Sequence, residues 1–253
     1  MDLGLKGRRA LVTAASKGLG RACAQALAGE GASVCISSRD AALLKNVAKE
    51  IGAAGWYAAD MSVAGGPESA VDAAVANLGG LDIVVANAGG PRAANFQGTT
   101  LEDWDSAHQL TLMSAVRLIK AALPHVQKSD QGRIVIITSV SVRQPIPNLV
   151  LSNSIRAAVT GMAKTLSREL GPDGITVNCL APDAVLTDRI RHLAPPGVDL
   201  EEYVKRSAAD VPLRRMGDPA EFGATCAFLC SKQAGFISGQ TIGVDGGKLV
   251  GVH

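Results

Sequence analysis

The sequence predicts an α/β protein. It reads as a single domain over residues 1–253, built on one doubly wound parallel sheet of about seven strands with helices on both faces. Three observations predict this. Short β-branched runs alternate with Ala/Leu-rich helical stretches along the chain. Several runs, such as Ile134–Ile137, are continuously apolar, the pattern of strands covered on both faces. No repeat, low-complexity tract or linker divides the 253 residues, a length that suffices for one sizeable core.

The strands are expected at Ala10–Thr13, Ser33–Ser37, Trp56–Ala59, Leu81–Ala86, Arg133–Thr138, Ile175–Leu180 and Thr241–Val244. Helices fill the gaps. Gly18–Gly29 follows the first strand directly, and Asp40–Ile51 opens on an N-cap aspartate. Pro67–Leu78 carries proline in its first turn, Leu101–Val126 reads as one long helix, and Ser152–Leu170 is amphipathic. Asp218-Pro219-Ala220-Glu221 starts a further helix with capping-box spacing and proline at its first position. Strand–helix alternation of this kind demands right-handed crossovers. The one long irregular stretch, Ala181–Leu200, holds Pro182, Pro195, Pro196 and Gly197. It leaves the carboxyl end of a strand, where such sheets bind ligands, so a substrate lid is expected around 183–215; a disordered insertion is the alternative.

Composition removes several function classes. Hydrophobic residues make up 47% and charged residues 19%, which excludes a disordered tail. The formal charge of +2 comes without a Lys/Arg block, and aromatics are only 3%, so neither phosphate tracking nor base stacking is supported and no nucleic-acid partner is expected. The five cysteines (Cys23, Cys35, Cys179, Cys226, Cys230) form no Cys-x-x-Cys pair. They read as buried apolar residues in a reducing compartment, with no metal site. The amino-terminal MDLGLKGRRALVTAAS lacks a long apolar run, so neither a signal peptide nor a membrane span is expected and the chain is placed in the cytoplasm.

Chemistry concentrates after the first strand, at Thr13-Ala14-Ala15-Ser16-Lys17-Gly18-Leu19-Gly20. Glycines at a strand-to-helix turn let backbone N–H groups approach a pyrophosphate, and the helix N-terminus adds positive potential. This turn resembles the TGxxxGxG element of the short-chain dehydrogenase/reductase family, with Ala14 at the usual first glycine. Further motifs fit in order: Asp60, Asn87-Ala88-Gly89, Ser139, Asn178, Pro182, and Gly239-Gln240 through Asp245-Gly246-Gly247. The resemblance spans nearly the whole chain, and it implies a Rossmann-like fold and a nicotinamide cofactor across the sheet's carboxyl edge. By position it places Thr13, Ala15, Ser16, Lys17, Gly18 and Leu19 in the phosphate turn. Asp60 and Met61 fall at the adenine, Asn87, Ala88 and Gly89 at the adenosine ribose, and Pro182, Val185 and Thr187 near the carboxamide. Arg156 would also reach ribose hydroxyls. Ala14 adds one methyl at a backbone angle that an L-residue tolerates, so binding is expected to survive.

The second strand ends Ser37-Ser38-Arg39-Asp40. A carboxylate at the strand tip would read a ribose 2′-hydroxyl; Ser38 and Arg39, with Lys17 in the turn, suit a 2′-phosphate, so NADP(H) is expected over NAD(H). A solvated Arg39 beside a helix-capping Asp40 is the bland alternative.

The family's usual catalytic set is a Tyr-x-x-x-Lys pair, a serine thirteen residues before the tyrosine, and an asparagine on the preceding long helix. Ser139 fits the serine, and both the thirteen-residue count and the stretch Arg156-Ala157-Ala158-Val159-Thr160-Gly161-Met162-Ala163-Lys164 place the pair at Ser152 and Arg156. The asparagine position, seven after Trp104, is Thr111. A serine hydroxyl is a far poorer acid than a phenol, and arginine stays charged. Three readings follow. The first is a reductase in which Ser139, Ser152 and Arg156 bind the oxyanion and the proton comes through water or Asp183, which follows Pro182 where the family usually has glycine; the favoured alternative for Asp183 is that it merely bonds loop backbone. The second is a dinucleotide-binding homologue of attenuated activity, serving as sensor or partner subunit. The third is an isomerase or eliminase on a related ligand. The first is favoured by the intact cofactor turn.

Arg92, Arg143, Arg189 and Arg191 fall on loops at the same sheet edge, which suits an anionic substrate such as an acyl-carrier- or CoA-bound group; ordinary solvated charges are the alternative. The nearest subgroup resemblance is to 3-oxoacyl-acyl-carrier-protein reductases, which implies β-keto reduction. The helices Leu101–Val126 and Ser152–Leu170 correspond to those that pair subunits in this family, implying a homotetramer or homodimer.

Overall fold

The computed structural model describes residues 1–187 and 198–251. Seven parallel strands form one sheet in the order β3-β2-β1-β4-β5-β6-β7. They are β1 (Arg9–Thr13), β2 (Ser33–Ser38), β3 (Gly55–Ala58), β4 (Ile83–Ala86), β5 (Arg133–Ile137), β6 (Thr176–Pro182) and β7 (Thr241–Val244). Strand order reverses between β1 and β4, whose registers pair Leu11 with Val84. The crevice at that reversal lies at the strands' carboxyl ends, the usual ligand position in such sheets.

Side-chain alternation builds two cores. On one face Val12, Ile36, Val85 and Val135 pack against α1 (Gly18–Gly29) and α8 (Pro219–Cys230) through Cys23, Leu27 and Phe222. On the other, Leu11, Val84, Ile134 and Ile136 meet α3 (Gly66–Leu78), α5 (Ser114–Val126) and α6 (Val150–Glu169) through Val71, Leu118 and Val159. The remaining helices are α2 (Ala41–Ile51), α4 (Leu101–Ala107) and α7 (Leu200–Ala209). Asp40 caps α2 by accepting from Leu43 N, and Asp218 with Glu221 forms the expected capping box of α8. All five cysteines are buried and unbridged.

Helices α1 and α8 sit unusually close. A methyl built at Gly223 would lie 2.4 Å from the Ala22 carbonyl oxygen, so only glycine permits the approach. At the amino ends of the strands a charged network ties the sheet together. Arg9 donates from its side chain to Asp82 at 2.8 and 2.9 Å, Ser129 Oγ donates to the same carboxylate at 2.6 Å, and Arg8 pairs with Asp130.

The structure corrects the sequence reading in four places. Strand and helix limits move by a residue or two: β4 starts at Ile83, β5 ends at Ile137, and α6 starts at Val150. The stretch Leu101–Val126 is not one regular α-helix; His108–Met113 is a π-helical segment between α4 and α5. Strand β6 runs through Pro182, so the irregular stretch begins later than Ala181. Ala14 adopts φ 46°, the left-handed region, a costlier angle for an L-residue than expected. No helix among the described residues is long and apolar enough to cross a membrane.

Candidate active site

The crevice is stitched together by backbone and short polar side chains. Thr13 Oγ1 donates to the Asn87 carbonyl at 2.6 Å and accepts from Asn87 N at 2.9 Å, latching the ends of β1 and β4. Asn87 Nδ2 donates to the Ala14 carbonyl at 3.3 Å. This forces Gly20 to lack a side chain: a methyl there would lie 2.4 Å from that oxygen and 2.7 Å from Asn87 Nδ2. Gly18 takes φ +54°, and Thr187 approaches it, with its Cβ 3.6 Å from where a methyl would sit. The segment after β6 thus closes over the turn.

These residues fit a dinucleotide. Lys17 occupies the N-cap of α1 without a side-chain capping bond, and the first turn carries no acid, so its N–H groups and positive potential face the crevice. Ser38 Oγ donates to Ser16 Oγ at 2.8 Å, joining the tip of β2 to the turn. Arg39 and Lys17 are exposed beside that junction, and among the described residues neither forms an ion pair. At the end of β3, Asp60 Oδ1 accepts from Ser62 Oγ at 2.7 Å and Ser62 N at 2.9 Å. Those bonds, helped by the charge of Arg39, hold the Asp60 carboxyl below the usual range.

The catalytic candidates gather at the end of β5. Arg156 Nη1 donates to the carbonyls of Ile137 and Thr138 at 3.0 and 3.1 Å, which brings a fixed cation beside Ser139. Ser152 lies one turn earlier on α6 and is 7% exposed. Ser139 Oγ accepts from Ser141 N at 3.1 Å, ending β5 in a short 3₁₀ turn. Thr111 sits in the π segment, an irregularity frequent at functional sites, and its buried Oγ1 has no partner among the described residues. A cavity of about 20 Å³ is lined by Thr13, Met61, Asn87, Ala88, Thr111 and Arg156, among others, so it joins cofactor and catalytic candidates. Its size suits one water molecule, with Thr13, Asn87, Thr111 and Arg156 among the polar groups in an otherwise largely apolar lining.

Several expected residues point elsewhere. Asp183 Oδ1 accepts from Ala184 N at 2.7 Å, and Oδ2 pairs at 3.3 Å with Lys248, which follows β7. Arg92 is tied to Asp103 at 2.8 Å, and Arg143 Nη2 donates to the Thr241 carbonyl at 2.6 Å. Of the expected basic rim, Arg92 is therefore neutralised by a carboxylate, while Arg143 is anchored toward β7 by a backbone bond and keeps its charge unpaired among the described residues. Arg189 and Arg191, with residues 188–197 of the expected lid, lie outside the described residues. Sequence reasoning missed Asn153, whose amide clamps Ile146 by donating to its carbonyl at 3.0 Å and accepting from its N–H at 3.3 Å. It thereby fixes the segment that leads into Ser152. Asn next to the Ser152 position was its only sequence signal.

A doubly wound sheet with a glycine turn and a polar cluster at the strand ends defines a nucleotide-dependent α/β enzyme fold. Comparison with known proteins narrows this. A family model described as enoyl-(acyl carrier protein) reductase matches residues 13–248. Dehydrogenase/reductase SDR family member 4 of Sus scrofa is 36% identical, over 96% of this chain and 88% of its own. The chain belongs to the short-chain dehydrogenase/reductase family. L-sorbose reductase from Gluconobacter frateurii, solved with NADPH and L-sorbose, superposes over 100% of both chains with a TM-score of 0.93 at 30% identity. An NADPH-bound short-chain oxidoreductase from Pseudomonas aeruginosa PAO1, described as having an atypical catalytic center, superposes over 96% of each chain with a TM-score of 0.89 at 28% identity.

Proposed function

We propose that the chain is an NADPH-dependent carbonyl reductase in which a permanent cation replaces a titrating acid. The observation that carries this reading is the placement of Arg156, held by two carbonyls beside Ser139 and lining the same cavity as Thr13 and Asn87. The NADPH-bound relatives support the cofactor. Gly18 and Leu19 would hold the pyrophosphate, and Ser16, Ser38, Arg39 and Lys17 the 2′-phosphate. Asp60 and Met61 would flank the adenine, Asn87, Ala88 and Gly89 the ribose, and Pro182, Val185 and Thr187 the carboxamide end. When bound, the cofactor supplies the hydride.

The chain's own groups handle the oxygen. Ser139 and Ser152 donate hydrogen bonds to it, and Arg156 stabilises the negative charge that develops there. Arg156 holds no proton that it can release, so the alcohol proton comes from water, for which the Thr111 cavity provides a site. The residues around 183–215 serve as the lid, and a 3-oxoacyl group is the substrate class that we favour. A second reading, a dinucleotide-binding homologue of attenuated activity, is favoured by the absence of any phenol at Ser152.

Calorimetry with NADPH and NADH, followed by an NADPH-oxidation assay over a panel of β-keto esters, acyl thioesters and keto sugars, tests both. Binding with turnover supports the reductase. Binding without oxidation of any member leaves the second reading. Failure to bind either nucleotide removes both.

A further inference from the structure

On the far side of α6 lies a recess of about 240 Å³ that takes no part in the reaction above. Its walls are Val142, Arg143, Thr160, Lys164, Gln240 and Thr241, with Cys179 at its floor. Among the described residues no carboxylate lines it. Burial pushes the Cys179 thiol up to about 12, so the floor is uncharged at neutral pH.

Both cations are held in place by backbone. Arg143 Nη2 donates to the Thr241 carbonyl at 2.6 Å, and Lys164 Nζ donates to the Gly239 carbonyl at 3.1 Å. Those carbonyls are two residues apart, at most about 7 Å along the chain. The pose of Lys164 depends on Gly239: a methyl there would lie 3.1 Å from both Lys164 Cδ and Nζ and 2.5 Å from Ser167 Oγ. Among the described residues neither cation forms an ion pair. Two like charges fixed across one recess repel unless an anion lies between them.

We infer that this recess is a binding site for a phosphate-sized dianion, bridged by Arg143 and Lys164. The site is separate from the nucleotide crevice, and the inference does not depend on the proposed reaction. It touches that reaction through one turn. Arg143 N donates to the Val140 carbonyl at 2.9 Å, closing the turn that begins at Ser139. An anion on Arg143 anchors the end of that turn, so occupancy stiffens the Ser139 side of the active site.

The test titrates inorganic phosphate into the full chain by calorimetry in HEPES at low ionic strength, with the nucleotide crevice saturated with NADPH. One saturable site per chain is expected, with no competition from acetate at equal ionic strength. Lys164→Gln and Arg143→Gln should each weaken it about tenfold, the effect of one charge-assisted hydrogen bond. Phosphate should also slow amide exchange from Ser141 to Gln144. Because Lys164 lies outside the crevice, its variant reads the recess even if NADPH does not bind. The inference is overturned by the absence of saturable binding, or by wild-type phosphate affinity in Lys164→Gln. A variant that melts earlier with unchanged affinity would mean that the cations only cap carbonyls at the edge of the sheet.

Discussion

The guanidinium of Arg156 keeps its charge throughout the pH range of the folded protein, because arginine does not deprotonate there. A Tyr-x-x-x-Lys pair would instead contribute a titrating phenol. The double variant Ser152→Tyr/Arg156→Lys is therefore expected to raise kcat by about 10²–10⁴-fold, the contribution of a positioned general acid, and to introduce a titration into a pH–rate profile. A variant that binds NADPH as before and gains nothing in rate would refute the replacement argument. At the tip of β2, Arg39→Asp should cut the preference for NADPH over NADH at least about tenfold, measured as the ratio of the two dissociation constants. Ala14→Gly relieves a left-handed alanine and should stabilise the fold by about 1 kcal/mol, read as a higher melting temperature. At this scale the motif residues were legible because short-range spacing fixes them. The backbone bond of Asp183 was also legible, but the ion pairs of Asp183 and Arg92 were not: their partners, Lys248 and Asp103, become neighbours only through the chain's path.

Among the elements, strands such as Ile134–Ile137 were readable because burial on both faces writes itself as an unbroken apolar run. The π segment at His108–Met113 was not, since a local widening of the helix leaves the hydrophobic pattern on either side nearly intact. Nor does sequence reveal how closely two helices pack. The contact between α1 and α8 depends on Gly223, and Gly223→Ala should cost about 1–3 kcal/mol through overpacking against Ala22, measured by denaturant unfolding. Wild-type stability in that variant would mean that the helices separate without strain.

Across the whole molecule the charges are unevenly placed. Burial works against ionisation of Asp82, but the bonds from Arg9 and Ser129 outweigh it and hold its pKa at about 2. A folded pKa below the unfolded one gives stability that is fully present above about pH 4 and is lost as the pH falls through about 2. The shift corresponds to about 2 kcal/mol, and acid titration of wild type against Asp82→Asn should show that dependence flattened in the variant. Unchanged acid sensitivity would assign the stabilisation elsewhere.

That network clamps only the amino ends of the strands. The opposite ends are joined by short bonds such as the Thr13–Asn87 latch and the Ser38–Ser16 contact, and are flanked by two left-handed alanines, Ala14 and Ala184. That end is the rim of the crevice. A ligand seated in the crevice would add its own bonds at this end, and would stabilise the fold in proportion to its occupancy.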